Sequence, residues 1–88
     1  MITLYTTPNC PWCDRAKQHL ERANIAYTPV DVSQDESALA KLRALGHRSM
    51  PQIFVGDVQL VDGAQSLMRM SVDQIHDRLD DIEDQQVA

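Results

Sequence analysis

The sequence predicts an α/β fold in which a four-stranded mixed sheet carries helices on both faces. Short β-branched runs alternate with amphipathic segments, the first unit reads β-α-β, and a two-residue turn joins the last two strands. The first unit requires a parallel pair with a right-handed crossover, whereas the turn makes an antiparallel hairpin. The length of 88 residues allows one domain with a modest core. The predicted order is therefore β-α-β-α-β-β-α.

The first half of the chain supplies the β-α-β unit. Residues 2–6 form an apolar strand, and the first helix starts at Pro11, whose missing N–H is harmless at the first helical position. We expect Asn24 to end this helix in a left-handed conformation. The second strand covers residues 25–32, and Pro29 places it at an edge of the sheet because proline cannot donate a ladder hydrogen bond.

The second half begins with another helix and continues with the hairpin. Ser33 and Glu36 have capping-box spacing, so they predict the start of the second helix, which Gly46 ends. Residues 51–55 and 58–61 are alternating or apolar runs on either side of a Gly-Asp turn. They predict the antiparallel pair.

The end of the chain is predicted to be helical. A short helical piece follows a turn at residues 62–63, and Ser71 with Gln74 forms a second capping box ahead of the last helix. Acidic residues at a helix C-terminus oppose the helix dipole. We therefore expect a domain over residues 1–82 and a frayed acidic tail over residues 83–88.

Both cysteines of the chain lie in the motif Cys10-Pro11-Trp12-Cys13, where the first strand gives way to the first helix. The free N–H groups of a first helical turn and the helix dipole stabilise a thiolate there. A thiolate is the species that attacks disulfides. Cys13 is close enough in sequence to bond with Cys10. The motif therefore predicts Cys10 as the nucleophile and Cys13 as the resolving cysteine.

Structural roles for the two cysteines are less favoured. A disulfide that closes so short a loop removes little entropy from the unfolded chain. Zinc usually needs four ligands, and His19, His47 and His76 add no second pair at suitable spacing. Metal binding and inert thiols are the alternatives, and we expect no metal. A Cys-x-x-Cys beside a β-α-β pattern is typical of a thioredoxin-like redox site.

Charge and composition exclude several classes of partner. The formal net charge is −5, and phosphate contacts need clustered Lys and Arg, so we expect no nucleic acid. The sequence has no apolar stretch long enough to span a bilayer, and we expect no signal peptide. Two neighbouring cysteines without a secretion signal fit a reducing compartment. We expect a cytoplasmic monomer that has no contact with a membrane.

The predicted order and two segments resemble the glutaredoxin family, which has the thioredoxin-like fold. The first segment, residues 5–17, contains the Cys-Pro-Trp-Cys motif, and the second, residues 46–55, contains Met50 and Pro51. The resemblance covers about residues 2–79. It implies a thiol–disulfide oxidoreductase with glutathione as co-substrate, and a cis peptide bond before Pro51.

The resemblance also implies where substrate binds. The backbone N–H and C=O groups of Met50 would pair with the substrate as a strand does. N–H groups after the turn at Gly63 would hold a carboxylate, with Arg48 as a charge partner. The candidate substrate-binding residues are Thr7, Pro11, Trp12, Arg48, Met50, Pro51, Gly63, Ala64, Gln65 and Ser66.

Two departures from the family pattern concern glutathione. Many members carry a lysine at the position of Thr7, which helps to hold the glycine carboxylate. They also carry two acidic residues at the positions of Gln65 and Ser66, at the γ-glutamyl end. The charges that would anchor both ends of glutathione are therefore missing, and we expect weaker glutathione binding than is usual in the family.

The resulting prediction is an oxidoreductase that reduces protein disulfides or glutathione mixed disulfides. Glutathione or a flavoprotein disulfide reductase restores the dithiol. Within the same fold, the alternative is a redoxin that donates electrons to ribonucleotide reductase and is reduced by thioredoxin reductase. Outside this class, the alternatives are an iron–sulfur cluster or metal carrier, which the rigid, bulky Pro11-Trp12 pair disfavours, and a redox-inactive binding module.

Overall fold

The computed structural model describes residues 2–61 and 63–86, which form one mixed sheet and four helices. The strands are β1 (Ile2–Thr6), β2 (Tyr27–Asp31), β3 (Gln52–Val55) and β4 (Val58–Val61). The helices are α1 (Pro11–Arg22), α2 (Glu36–Ala44), α3 (Ala64–Arg69) and α4 (Val72–Gln86). The sheet order is β2-β1-β3-β4, with β1 parallel to β2 and the other pairs antiparallel. The predicted fold class is confirmed, and the short helical piece is a helix of its own, α3.

The limits of the first β-α-β unit follow the local signals in the sequence. Asn24 has a φ of +61° and follows the end of α1, as predicted. Strand β2 is shorter than expected and is the outermost strand next to β1, so Pro29 does lie at an edge. An edge strand tolerates proline because one side of it has no ladder partner.

The predicted cap of α2 is wrong. Asp35 is the N-cap, and its carboxylate accepts the N–H of Ala38 at 3.0 Å. Ser33 instead donates its backbone N–H and its hydroxyl to the carboxylate of Asp31, at 2.9 and 2.6 Å. Asp31 ends β2 and offers a charged acceptor two residues before Ser33, so a local turn there uses the serine that would have capped the helix.

The predicted capping box of α4 is confirmed. The hydroxyl of Ser71 accepts the N–H of Gln74 at 3.2 Å, and the Gln74 side chain accepts the N–H of Ser71 at 2.9 Å. Helix α4 continues over residues 83–86, and the fraying of the tail stays a prediction. Residue 62 of the predicted turn and residues 87–88 of the tail lie outside the described residues. Among the described helices, none is long and apolar enough to cross a membrane.

Alternation of side chains along the central strands divides the core between two faces of the sheet. On one face, Leu4 and Ile53 pack with buried side chains of α1, α3 and α4. On the other, Tyr5 and Phe54 meet edge to face at 5.8 Å and pack with Leu42 of α2. The predicted helices on both faces are thus present.

The register of β1 with β3 positions the functional end of the molecule. Tyr5 pairs with Gln52, so the last residues of β1 lie beside the first residues of β3. The loop that follows β1 contains Cys10, and the loop that precedes β3 contains Met50. Because the two strands run antiparallel, the loop after β1 and the loop before β3 emerge at the same end of the sheet.

Leu42 and Leu45 offer a matched test of the α2 core. Leu42 is 0% exposed and Leu45 is 53% exposed. We expect Leu42→Ala to lower the free energy of unfolding by about 2–5 kcal/mol, because it leaves a cavity, and Leu45→Ala to change it by about 0.5 kcal/mol or less. Chemical denaturation of both variants measures the difference. Equal losses would contradict the assignment of α2 to the core.

Candidate active site

The two cysteines occupy the start of α1. Cys10 is the N-cap, with an extended backbone, and its sulfur accepts the backbone N–H of Cys13 at 3.1 Å. Their Sγ atoms are joined in a disulfide, with the Cα atoms 5.2 Å apart. Pro11 occupies the first helical position, as predicted. The sulfur of Cys10 therefore lies where a helix N-terminus stabilises negative charge.

The two sulfurs differ in access. Cys13 is 1% exposed and packs in the interior, whereas Cys10 is half-buried. A disulfide on another molecule can approach the more exposed sulfur, but not one enclosed by the core. This asymmetry supports Cys10 as the attacking cysteine and Cys13 as the resolving one.

The loop before β3 lies against the sulfur of Cys10. The Met50–Pro51 peptide bond is cis, as predicted, and the carbonyl oxygen of Met50 lies 3.8 Å from Sγ of Cys10. In the disulfide, this sulfur carries no proton, so the approach is a contact. In the dithiol, the Cys10 thiol has an acceptor within its reach.

A buried side chain, which the sequence analysis did not identify, holds this loop. Gln52 is 5% exposed, and its amide nitrogen donates to the carbonyl oxygen of Ser49 at 2.8 Å. Its amide oxygen accepts from the side chain of Gln59 on β4 at 2.9 Å. Both ends of the buried amide are therefore satisfied, and the loop beside Cys10 is tied to the far strand of the hairpin.

An open cleft of about 330 Å³ lies beside the cysteine motif. Seven of the predicted substrate-binding residues line it, together with two that were not predicted, Ser49 and Arg69. The seven are Trp12, Met50, Pro51, Gly63, Ala64, Gln65 and Ser66. The fold thus brings the cysteine motif, the cis-proline loop and the start of α3 together around one cavity.

The start of α3 presents backbone donors. Gly63 is its N-cap, with a φ of +92°, a conformation that other residues rarely adopt. Glycine has no side chain with which to cap the first turn. The first N–H groups of a helix have no partner within it, so those of Ala64 and Gln65 have no acceptor inside α3 and lie at its cleft end. These donors were predicted from the family resemblance.

Three predicted residues do not line this cleft. Arg48 lines a neighbouring groove of about 420 Å³, which also contains Met50, Arg43 and His47. Thr7 is half-buried after β1 and Pro11 is exposed at the start of α1, and the linings of both cavities exclude them. Arg48 therefore lies on a different groove from the start of α3, although it was expected to be a charge partner for the same ligand.

Two arginines that are not among the predicted substrate-binding residues lie beside the cysteine motif or the start of α3. The guanidinium carbon of Arg15 lies 4.7 Å from the centre of the Trp12 ring, a cation–π arrangement. Arg69 lies four residues after Gln65 on α3, and both line the cleft. Residues four apart share a face of a helix, so this spacing was the signal that could have identified Arg69.

The resolved pKa shifts belong to groups outside the cleft. Lys41 on α2 bonds to Asp57 in the hairpin turn at 2.7 Å, which raises the pKa of Lys41 and lowers that of Asp57. Desolvation by burial, with a hydrogen bond to Glu21, raises the pKa of Tyr27. Within residues 2–61 and 63–86, no cluster of His, Cys, Asp or Glu is arranged to hold a metal ion.

Comparison with known proteins identifies the family. The sequence model of the glutaredoxin family matches residues 2–60. The chain belongs to the glutaredoxin family. A glutaredoxin of Neisseria meningitidis is 38% identical over 71 residues, which cover 78% of this chain and 82% of that protein. The solution structure of a glutaredoxin from Brucella melitensis is 32% identical, with a TM-score of 0.67 over 89% of this chain and 85% of that one.

A second group of this fold is also similar. The glutaredoxin-like protein NrdH-redoxin of Escherichia coli is 28% identical, with a TM-score of 0.67 over 80% of this chain and 93% of that one. Members of the glutaredoxin family are thiol–disulfide oxidoreductases, and this chain has their fold and their Cys-x-x-Cys motif. This glutaredoxin is accordingly a thiol–disulfide oxidoreductase.

The geometry at Cys10 predicts an acidic thiol. In the reduced protein, we expect the pKa of the Cys10 thiol to lie below the value of about 8.5 for a free cysteine, because the helix N-terminus stabilises its thiolate. Titration of the ultraviolet absorbance of the thiolate measures it in Cys13→Ser, where Cys10 is the remaining thiol. That variant keeps the backbone N–H that bonds to Cys10.

The matched control is Cys10→Ser, which leaves the buried Cys13 thiol. We expect its pKa not to be lowered in this way, since apolar burial disfavours a thiolate. A Cys10 pKa at or above that of a free cysteine would contradict activation by the helix.

Proposed function

We propose that this glutaredoxin reduces protein disulfides and glutathione mixed disulfides, with glutathione as its co-substrate. The observation that carries the proposal is the pairing of a half-buried N-cap cysteine, Cys10, with a fully buried one, Cys13, beside an open cleft. We place the activity in the cytoplasm, because a reducing thiol pool keeps such a dithiol available. We expect the protein to act as a monomer.

The exchange consists of two substitutions at sulfur. The Cys10 thiolate attacks a client disulfide, so that one new S–S bond forms and the client's other sulfur leaves as a thiolate and takes a proton. Cys13 then loses its proton and attacks the Cys10 sulfur. The Cys10–Cys13 disulfide forms, and the second client sulfur leaves and is protonated. Two electrons and two protons thus pass from the dithiol to the client.

Glutathione completes the cycle in this proposal. One glutathione thiolate attacks the Cys10–Cys13 disulfide, and a second releases glutathione disulfide and restores the dithiol. The cleft offers the backbone of Met50 and the first N–H groups of α3 to such a peptide. A buckwheat glutaredoxin solved in complex with glutathione has the same fold, with a TM-score of 0.72 at 21% identity.

A second candidate function is electron donation to ribonucleotide reductase, with a flavoprotein such as thioredoxin reductase as the electron source. The Escherichia coli NrdH-redoxin, described as having a thioredoxin-like activity profile, favours it through its likeness to this chain. So does the absence of fixed charge at Thr7, Gln65 and Ser66. The two functions share the dithiol chemistry and differ in the source of electrons.

Substitution of each cysteine separates the two sulfur steps. We expect Cys10→Ser to abolish the reduction of every disulfide substrate, because it removes the nucleophile. Cys13→Ser keeps the first step and loses resolution, so it should accumulate a mixed disulfide that mass spectrometry detects on Cys10. If Cys10→Ser instead formed a mixed disulfide on Cys13 and kept its activity, that result would contradict the roles assigned to the two cysteines.

The electron source is tested by parallel coupled assays. One assay contains glutathione with glutathione reductase, and the other contains thioredoxin reductase, each with the same disulfide substrate. We expect turnover with glutathione. Turnover with thioredoxin reductase alone would assign the chain to the second function instead.

Restored charges should improve glutathione use. We expect Thr7→Lys with Ser66→Asp to raise kcat/KM for glutathione about threefold to tenfold, since charge-assisted hydrogen bonds are stronger than neutral ones and partial exposure screens them. The control is Gln18→Lys with Ser37→Asp, which introduces the same charges at exposed positions outside the cleft. An equal response of both double variants would contradict the inferred glutathione site.

A further inference from the structure

A second groove continues from the active-site cleft along the outer face of α1 and α3. Trp12, Arg15, Gln65, Met68 and Arg69 line it, and its volume is about 310 Å³. We call these five residues the outer groove. Trp12 is 39% exposed and Met68 is 41% exposed, so two large apolar side chains face solvent here. Adjacent exposed apolar side chains of this size are typical of a contact surface.

The charge of the outer groove is opposite to that of the whole protein. Among the residues that the structure describes, its lining contains Arg15 and Arg69 and no acidic residue, while the chain carries a net charge of −5. The Arg15 guanidinium lies over the Trp12 ring, so its charge is held at the lip of the groove. Arginine and aromatic side chains are also the residues that contribute most binding energy at protein interfaces.

The outer groove is continuous with the site of chemistry. Trp12, Gln65 and Arg69 line both this groove and the cleft that contains Met50. Trp12 also lies between the two cysteines in sequence. A client peptide whose disulfide reaches Cys10 through the cleft can therefore continue its chain over Trp12 into the outer groove.

We propose that the outer groove docks an acidic segment of the client protein, adjacent in sequence to the client's disulfide cysteine. An apolar side chain of that segment packs on Trp12 and Met68, and its carboxylates pair with Arg15 and Arg69. The inference rests on the proposed reduction of protein disulfides and adds the charge class of the protein client. Complementary charge steers association and selects among partners.

Two matched peptide disulfides test this preference. In each peptide, one cysteine forms a disulfide with the same small neutral thiol, and a leucine follows that cysteine. Glutamates follow the leucine in one peptide, and lysines follow it in the other. Stopped-flow mixing with the pre-reduced protein gives the second-order rate constant for each, followed by the fluorescence of Trp12. We expect the acidic peptide to react about tenfold faster at low ionic strength. The ratio should fall as salt is added, because the Debye length is about 10 Å at 0.1 M.

Charge variants locate the preference. We expect Arg15→Glu to reduce the acidic-to-basic rate ratio about tenfold, and Arg15→Lys, which keeps the charge, to retain most of it. The matched control is Arg22→Glu, with the same charge change at the other end of α1, about 10 Å along the helix at 1.5 Å per residue. It should leave the ratio unchanged. A similar loss in Arg22→Glu would attribute the preference to net charge and overturn the proposal.

The outcomes separate this inference from the proposed function. Equal rates for the two peptides, with both reduced, would overturn the acidic docking surface and leave the oxidoreductase function intact. If neither peptide nor a small neutral disulfide is reduced, the proposed function itself fails. Turnover of the neutral disulfide by each variant shows that the variant is folded and has a working dithiol.

A second copy of this chain is the competing occupant, since α4 carries several acidic residues. Sedimentation equilibrium of the protein, and of Arg15→Glu, distinguishes it from a client. We expect a monomer in both. A dimer that Arg15→Glu dissociates would assign the outer groove to self-association and overturn the proposal.

Discussion

The hydrogen bond from the N–H of Cys13 to the sulfur of Cys10 is the interaction on which the chemistry depends. It exists because α1 begins immediately after Cys10, with Pro11 at a position where proline does not disturb the helix. The same geometry sends the Cys13 side chain into the core and leaves Cys10 half-buried, with its sulfur against the carbonyl oxygen of Met50. The point at which α1 starts thus determines which sulfur lies at the helix N-terminus and which one the core encloses.

The start of α1 would have no function if the loop before β3 lay elsewhere. The antiparallel register of β1 and β3 brings that loop to the same end of the sheet as the start of α1. The buried amide of Gln52 then bonds the loop at Ser49 and the next strand at Gln59. The Gln52 amide makes both hydrogen bonds in the interior, where a polar group without a partner lowers the free energy of unfolding. The position of the loop beside Cys10 therefore depends on contacts within the sheet.

Signals within a few residues of the sequence predicted the features that depend only on neighbouring residues, such as helix starts and ends. The proline at the start of α1, the left-handed Asn24 and the capping box at Ser71 each act within a few residues, and the structure contains all three. The cap of α2 was predicted wrongly because the carboxylate of Asp31 accepts both donors of Ser33, and Asp35 caps the helix instead. The family resemblance supplied the cis bond and the cleft-lining residues, whereas Gln52 and the groove that contains Arg48 depend on tertiary packing, which no spacing reveals.

The distribution of charge around Cys10 bears on which substrates the enzyme favours. A tripeptide such as glutathione depends on a few anchors at its two ends, and here Thr7, Gln65 and Ser66 stand where the family usually has charged groups. Neutral hydrogen bonds contribute about 0.5–1.5 kcal/mol each, against about 1.5–3 kcal/mol for bonds to charged groups. Positive charge is present on Arg69, which lines both the cleft and the outer groove, and on Arg15, which lines the outer groove. Under the proposed docking, a longer chain reaches both arginines while its sulfur is at Cys10, so we expect protein clients to gain affinity at a site where glutathione binds more weakly than is usual in the family.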